Sequence, residues 1–208
     1  MLIKGPTGEI EAQWDRVADA KGNAILCHPH PQFGGSMDDG VVNLASSALG
    51  QHGFNCLRFN FRGVGQSTGE FDQGMGEVDD LMAVILWLAT ELPGQKLWLM
   101  GYSFGANIVW RSLTQLSTEQ VAGVLLVAPP VGRMVFPQHT TLPCQVFALA
   151  GDQDDFVDQQ SFGAWPGINT TVIAGADHFF TGTSANLTAA VKNIMENMAT
   201  EGPESDSL

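Results

Sequence analysis

The sequence predicts an α/β fold in which a mainly parallel central sheet is covered by helices on both faces. Short apolar runs typical of buried strands alternate with longer stretches of helical periodicity along the 208 residues. The strand-like runs are continuously apolar, which is typical of parallel strands buried on both faces. Because no repeat of about 20–50 residues is present, solenoid and propeller architectures are excluded. The alternation therefore predicts a parallel sheet with helical crossovers.

The first half of the chain contributes three predicted strands and two predicted helices. The strands are the apolar runs Asn23–Cys27, Cys56–Phe61 and Lys96–Met100. A helix is predicted from about Asp38 to Gln51, where Gly53 follows its end. The second helix, from about Gly76 to Glu91, ends before Pro93-Gly94. Its apolar residues recur on one stripe: Val78, Leu81, Met82, Ile85 and Leu88.

The second half continues the same alternation. A helix is predicted over Ser103–Leu116, and a last one from about Ser184 to Ala199. Three further buried strands are predicted: Val121–Val127, Gln145–Ala150 and Thr170–Ala174. We therefore expect a single domain over residues 1–199, followed by an acidic, disordered tail at 200–208. In sheets of this kind ligands bind at the carboxyl ends of the strands, so functional residues are expected just after them.

Composition excludes several classes of function. Acidic residues outnumber basic ones by 22 to 9, which gives a net charge of -13 and predicts no nucleic-acid partner and no membrane surface as partner. The three cysteines form no CxxC pair, so neither a zinc site nor a redox motif is predicted, and Cys27 is expected to be buried and unreactive. The longest apolar run has nine residues, and the N-terminal pattern is not that of a signal peptide. We expect a cytoplasmic protein, and its oligomeric state is not predicted.

The strongest functional motif is Gly101-Tyr102-Ser103-Phe104-Gly105, which has the pattern GxSxG. It follows a predicted strand at once and opens a predicted helix, which is the setting of a nucleophile elbow. In so sharp a turn, side chains two residues before and after the serine would clash, and glycine occupies both places. The alternative is that Ser103 only caps an ordinary helix. We interpret Ser103 as a nucleophile.

A serine nucleophile needs a base, and the base needs an orienting acid. His178 follows the last predicted strand, in Gly175-Ala176-Asp177-His178. The acid is expected after Gln145–Ala150, and four aspartates compete there: Asp152, Asp154, Asp155 and Asp158. Asp154 is favoured because Phe156 and Val157 are expected to anchor its loop in the core.

A second glycine-containing loop, His28-Pro29-His30-Pro31-Gln32-Phe33-Gly34-Gly35, follows the first predicted strand and has two interpretations. The pattern H-x-H is compatible with a metal site, but no third ligand of suitable spacing is visible, so neither a metal nor another cofactor is predicted. The favoured interpretation is an oxyanion loop. Since the flanking prolines lack an N–H, the backbone of His30 is the expected donor, with the N–H of Phe104 as the second.

With these motifs, the chain resembles the α/β-hydrolase superfamily, in particular its small bacterial branch near the dienelactone hydrolases. The resemblance covers residues 20–198 and is carried by HPHPQFGGSMDDGVV (28–42), NFRGVGQSTGEFD (60–72), GYSFGA (101–106), GDQDDFV (151–157) and GADHFF (175–180). It implies Ser103 as nucleophile, Asp154 as acid, His178 as base and His30 as oxyanion donor.

The chain departs at two places from the pattern of the family that it resembles. Dienelactone hydrolases use cysteine where this chain has Ser103, so their substrate is not carried over, and many relatives have His-Gly where this chain has His28-Pro29. Arg62, in the NFRGVGQSTG loop, is expected to form structural hydrogen bonds rather than to bind an acidic substrate.

These observations predict a carboxylesterase-like serine hydrolase that cleaves small-molecule esters of small soluble acids through an acyl-enzyme on Ser103. Thioesterase and acyltransferase activities use the same residues, and a non-catalytic binding protein is a third alternative. Residues 128–144, between two predicted strands, are too few for a cap domain. The pocket should therefore be open and bounded by the HPHPQF loop, residues 128–144 and residues 158–167 with Trp165, and short acyl groups should be preferred.

Overall fold

The computed structural model describes residues 1–200, with side chains described up to Asn197. Eight strands form one sheet: β1 (Leu2–Gly5), β2 (Gly8–Asp15), β3 (Gly22–Cys27), β4 (Phe54–Phe59), β5 (Leu97–Tyr102), β6 (Val121–Val127), β7 (Val146–Gly151) and β8 (Asn169–Ile173). Their order across the sheet is β1-β2-β4-β3-β5-β6-β7-β8. The pairs from β4 to β8 are parallel, whereas β1 and β2 pair antiparallel at one edge. The predicted, mainly parallel sheet is confirmed.

Within the described residues, five α-helices connect or follow these strands: α1 (Gly40–Gln51), α2 (Met75–Glu91), α3 (Phe104–Ser112), α4 (Gln159–Gly163) and α5 (Ser184–Thr200). The helix predicted over Ser103–Leu116 ends earlier, because a 3-10 turn at Leu113–Gln115 replaces its last part. The sequence prediction missed the short α4 and the edge hairpin of β1 and β2. In β2 only Ile10 and Ala12 are buried, and the glutamates and the glutamine among them hid its strand pattern.

The helices cover both faces of the sheet, as predicted. Successive strand residues point to opposite faces, so Ile25 and Leu26 belong to two different apolar clusters. One cluster joins the sheet to α2 and α3, and the other joins it to α1 and α5. Each face therefore has its own core, and the carboxyl ends of the parallel strands carry the loops.

The connection between β6 and β7 contains no cap domain. Residues 128–145 form no helix, and their regular pairing is a single bridge between Val131 and Met134. The expected absence of a cap over the carboxyl edge of the sheet is therefore confirmed.

None of the helices in residues 1–200 combines the length and the hydropathy needed to cross a bilayer. The tail predicted to be disordered lies outside the described residues, apart from Thr200 at the end of α5.

Candidate active site

Ser103 sits in a strained turn between β5 and α3. Its backbone has φ 54° and ψ −115°, a conformation that residues other than glycine rarely adopt. A Cβ at position 101 would overlap the backbone of Gly105, and one at position 105 would overlap the carbonyl of Cys27. Glycine is therefore required at both places, as the motif predicts. The Ser103 side chain makes no capping hydrogen bond to α3, which removes the interpretation as an ordinary helix cap.

The loops after β8 and β7 bring His178 and Asp154 to this serine. His178 Nε2 lies 2.9 Å from Ser103 Oγ, and His178 Nδ1 lies 2.8 and 3.0 Å from the two carboxylate oxygens of Asp154. Both His178 and Asp154 are buried. A carboxylate only accepts hydrogen bonds, so Nδ1 carries the proton and Nε2 is left as acceptor for the serine hydroxyl. The buried Tyr102 hydroxyl donates to the backbone carbonyl of His178 at 3.1 Å and so fixes the loop of the imidazole.

Of the four competing aspartates, the structure places only Asp154 against His178. Asp152 accepts from the Gly175 N–H, Asp158 caps α4 through the Ser161 N–H, and the side chain of Asp155 is exposed. The expected anchoring of the acid loop is confirmed for Val157 and wrong for Phe156. Val157 is buried and anchors the loop, whereas the Phe156 ring is 46% exposed and packs 4.5 Å from the His178 ring instead of entering the core.

His28 and His30, the two histidines of the HPHPQF loop, have different environments. His28 is fully buried: its Nδ1 donates to the Pro29 carbonyl at 2.6 Å, and its Nε2 accepts from the Phe61 N–H at 3.0 Å. Burial lowers the pKa of the His28 imidazole from 6.5 to about 4. Both ring nitrogens are therefore engaged in structural hydrogen bonds, and the described residues include no cluster of three potential metal ligands.

The two residues expected to supply backbone donors for an oxyanion are His30 and Phe104. His30 lies in the loop after β3 and lines the same cleft as Ser103, and its N–H has no acceptor among the described residues. Phe104 is the first residue of α3, where an N–H has no partner inside the helix. Gly35 permits the tight loop, since a Cβ there would overlap the carbonyls of Pro29 and His30. Neither backbone N–H therefore has a hydrogen-bond acceptor among the described residues.

Arg62 belongs to the fold rather than to the site. It is buried, and its guanidinium donates to Asp80 at 2.9 and 3.0 Å, while its backbone N–H donates to the same carboxylate. The hydrogen bonds to Asp80 raise the pKa of the Arg62 guanidinium above its ordinary value. The favoured expectation, a structural role, agrees with these contacts.

Ser103 opens into a cleft of about 420 Å³, within the range of small-molecule sites. Its walls differ from the predicted ones. Residues 128–144 and Trp165 line a separate groove of about 480 Å³ instead. The cleft is bounded on one side by the HPHPQF loop, as expected, and on the other by residues beside the acid and the base. The lining residues are Pro29, His30, Phe33, Gly34, Gly35, Asp39, Tyr102, Ser103, Phe156, His178 and Phe179.

The sequence prediction did not place three of these lining residues in the site: Asp39, Phe156 and Phe179. The two phenylalanines that adjoin Asp154 and His178 in sequence carried a usable signal. A large apolar residue this close to a catalytic candidate after a strand is expected to pack either in the core or against the cleft.

Comparison with known proteins places this geometry in a family. The model of the alpha/beta hydrolase fold matches residues 25–159, which is more than half of the chain. The chain belongs to the alpha/beta hydrolase family. In this alpha/beta hydrolase, the part that matches the family model runs from β3, before the HPHPQF loop, past the loop that carries Asp154.

Individual relatives resemble this alpha/beta hydrolase over nearly its whole length. An uncharacterized protein of Rickettsia prowazekii is 34% identical over 94% of this chain and 87% of its own. XC6422 of Xanthomonas campestris, a serine hydrolase without a lid, is 33% identical, with a TM-score of 0.88 over 98% of this chain and 95% of its own. An alpha-beta serine hydrolase homologue of Coxiella burnetii is 36% identical, with a TM-score of 0.86 over 93% of this chain and 95% of its own. The chain is thus a lid-less hydrolase of the serine hydrolase type.

Proposed function

We propose that this hydrolase is a carboxylesterase that cleaves esters of small acids through an acyl-enzyme on Ser103. The observation that carries the proposal is the continuous hydrogen-bond chain from Ser103 through His178 to Asp154, at the mouth of a cleft. A serine hydroxyl is a weak nucleophile, and such a chain is what activates it. The strained backbone of Ser103 holds its hydroxyl at the cleft in the position that attack requires.

In the proposed reaction Ser103 Oγ attacks the ester carbonyl while His178 Nε2 takes the hydroxyl proton. The imidazolium then gives this proton to the leaving alcohol, and the acyl group stays on Oγ. Water then attacks the acyl carbon while His178 Nε2 takes one of its protons. The bond between the acyl carbon and Oγ breaks, the imidazolium returns this proton to Ser103 Oγ, and the acid is released. Asp154 holds the Nδ1 proton throughout and stabilises the imidazolium.

Charge that develops on the carbonyl oxygen needs donors that are already in place. The N–H groups of His30 and Phe104 are the proposed donors, because His30 lines the cleft of Ser103, Phe104 follows Ser103 in the chain, and neither N–H is engaged with another described residue. Removal of one oxyanion donor costs on the order of 10²–10³ in kcat in other hydrolases. The lid-less cleft leaves water free to reach the acyl-enzyme, which favours hydrolysis over transfer to another acceptor.

A fluorophosphonate probe and a series of p-nitrophenyl esters test the proposal together. The wild type should be labelled at Ser103 and should hydrolyse acetate and butyrate esters. Ser103→Ala should abolish labelling and lower kcat by about 10⁴-fold or more. Ser47→Ala, which changes an exposed serine of α1, is the matched control and should behave as the wild type. A folded wild type without labelling and without hydrolysis would contradict the proposal.

The size of the acyl group forms a second arm of the test. Each CH₂ that stays in water forgoes about 0.8 kcal/mol of binding, so an open cleft gains little from a long chain. We expect kcat/KM for acetate or butyrate esters to exceed that for long-chain esters. Thioesters and added alcohols or amines in the same assay distinguish thioesterase and acyltransferase activities from hydrolysis of oxygen esters.

A further inference from the structure

Three phenylalanines form an exposed apolar rim around the Ser103 cleft. Phe33 is 86% exposed, Phe179 is 64% exposed and Phe156 is 46% exposed, although each is large and apolar. All three line the same cleft. Clustered apolar side chains at a concave surface mark a binding site, because exposure of such side chains to water is otherwise unfavourable. This rim is suited to an apolar group of the substrate.

One carboxylate interrupts these apolar walls. Asp39 is half-buried and caps α1 through a single oxygen, Oδ1, which accepts from the N–H groups of Val41 and Val42 at 2.8 and 3.4 Å. Its other oxygen, Oδ2, has no hydrogen-bond or ion-pair partner among residues 1–197. Because Asp39 lines the cleft, the charge of its carboxylate lies beside the space that a substrate would occupy.

The N-terminus of α1 stabilises the charge of Asp39 without cancelling it, and no basic side chain of the described cleft lining pairs with it. The lining residues in the described structure include no lysine and no arginine, and burial lowers the pKa of the His30 imidazole against the opposing effect of Glu77. Arg133 donates to the Asp155 carbonyl on the acid loop but does not line the cleft. The pKa of the Tyr102 hydroxyl is raised by burial first and then by the charges of Asp39, Asp154 and Asp177. Among the described residues that line the cleft, the permanent charge therefore comes from Asp39.

We propose that Asp39 determines the charge preference of the cleft, so that apolar esters carrying an ammonium group are favoured, uncharged ones are accepted and carboxylate-bearing ones are rejected. The inference rests on the proposed esterase function and names its substrate class. A substrate ammonium is attracted by Asp39 Oδ2 and by the faces of the rim phenylalanines, since both interactions favour a cation in a partly dry site. A substrate carboxylate meets like charge and finds no basic partner.

Three p-nitrophenyl esters of matched acyl length test this proposal: the γ-trimethylammoniobutyrate, the pentanoate and the monoglutarate. Assays are run at low salt and about pH 7.5, above the ordinary pKa of histidine. Each kcat/KM is divided by the second-order rate constant for the reaction of the same ester with hydroxide, measured at a pH where this reaction dominates. This reference excludes the intramolecular attack by the free carboxylate of the monoglutarate. The wild type should prefer the cationic ester to the anionic one by about tenfold or more, and added salt should reduce this ratio.

Asp39→Asn should lower the cation-to-anion ratio by about threefold to tenfold, because the amide keeps the helix cap and removes the charge. Asp38→Asn is the matched control: its carboxylate is 70% exposed beside Arg58 and outside the cleft, and its removal should leave the ratio unchanged. Asp39→Ser, which also caps helices, replaces Asp39→Asn if the latter does not fold.

The outcomes separate the two proposals. If all three esters are hydrolysed in a Ser103-dependent way but Asp39→Asn retains the wild-type ratio, Asp39 has no such role and the esterase function stands. If the wild type hydrolyses none of them and its Ser103 is not labelled by fluorophosphonate, both proposals are wrong. A ratio that falls equally in Asp38→Asn and Asp39→Asn would reflect the general surface charge and would also overturn the inference.

Discussion

Asp154→Asn is the substitution whose effect the structure defines most closely. One carboxylate oxygen of Asp154, Oδ1, accepts from the Phe156 N–H at 2.8 Å. In the variant the amide oxygen has to stay on that N–H, so the amide NH₂ turns toward His178 Nδ1. An NH₂ group donates, so Nδ1 has to become the acceptor and the ring proton moves to Nε2. Nε2 then faces the Ser103 hydroxyl as a donor and can no longer take its proton.

The expected loss in kcat is on the order of 10⁴-fold, the size that this change of tautomer has in a Ser-His-Asp triad. At about 1.36 kcal/mol for each factor of ten, this corresponds to about 5.5 kcal/mol of lost transition-state stabilisation. The fold should survive, because the amide satisfies both the Phe156 N–H and His178 Nδ1. Chemistry and folding are therefore affected separately.

The assay is steady-state hydrolysis of p-nitrophenyl acetate, with thermal unfolding as the check on folding. Asp152→Asn and Asp155→Asn are matched controls, because they change the same side chain in the same loop without touching His178. Both should stay within about threefold of the wild-type kcat, since substitutions outside the site are mostly mild. The reasoning is refuted if Asp155→Asn is as damaging as Asp154→Asn, or if folded Asp154→Asn keeps more than about a tenth of the activity.

Three further predictions concern the elements that support the site. Burial lowers the pKa of the His28 imidazole from 6.5 to about 4, so as the pH falls the unfolded chain takes up this proton before the folded protein does. The contribution of His28 to the free energy of unfolding is therefore full above pH 6.5 and is lost as the pH falls toward 4. Urea unfolding should show a His28 contribution of about 2 kcal/mol lost between about pH 7.5 and pH 5, absent in His28→Gln. Gly105→Ala should cost about 3 kcal/mol or more in a thermal melt, because its Cβ meets backbone, whereas Gly50→Ala, with nothing within 4 Å, should be neutral or stabilising. Cys27 is buried and its thiol pKa is raised well above the ordinary value, so iodoacetamide should leave the native enzyme active; rapid inactivation that Cys27→Ser abolishes would contradict this.

The local pattern of the sequence was sufficient for most of the fold. Buried strands such as Val121–Val127 are recognisable because every residue in them is apolar, and α2 because its apolar residues recur at helical spacing. The edge hairpin was missed for the same reason: β2 has one face toward water, and its polar residues break the continuous apolar pattern of the parallel strands. The apolar pattern of a strand depends on whether one or both of its faces are buried, and β2 is buried on one face only.

For the site, the sequence by itself determined the elbow and the order of serine, acid and base along the chain. Both follow from local rules: a turn that demands glycine on either side of Ser103, and polar residues that follow buried strands. Only the tertiary structure decided which aspartate contacts His178. Asp154 lies 24 residues from His178, and the fold of the loop after β7 determines that this aspartate, and not its neighbours, reaches the imidazole. The tertiary structure also decided the walls of the cleft. Phe33 and Asp39 are far from Phe179 in sequence, and they line one cleft because the carboxyl ends of parallel strands bring their loops to one edge of the sheet.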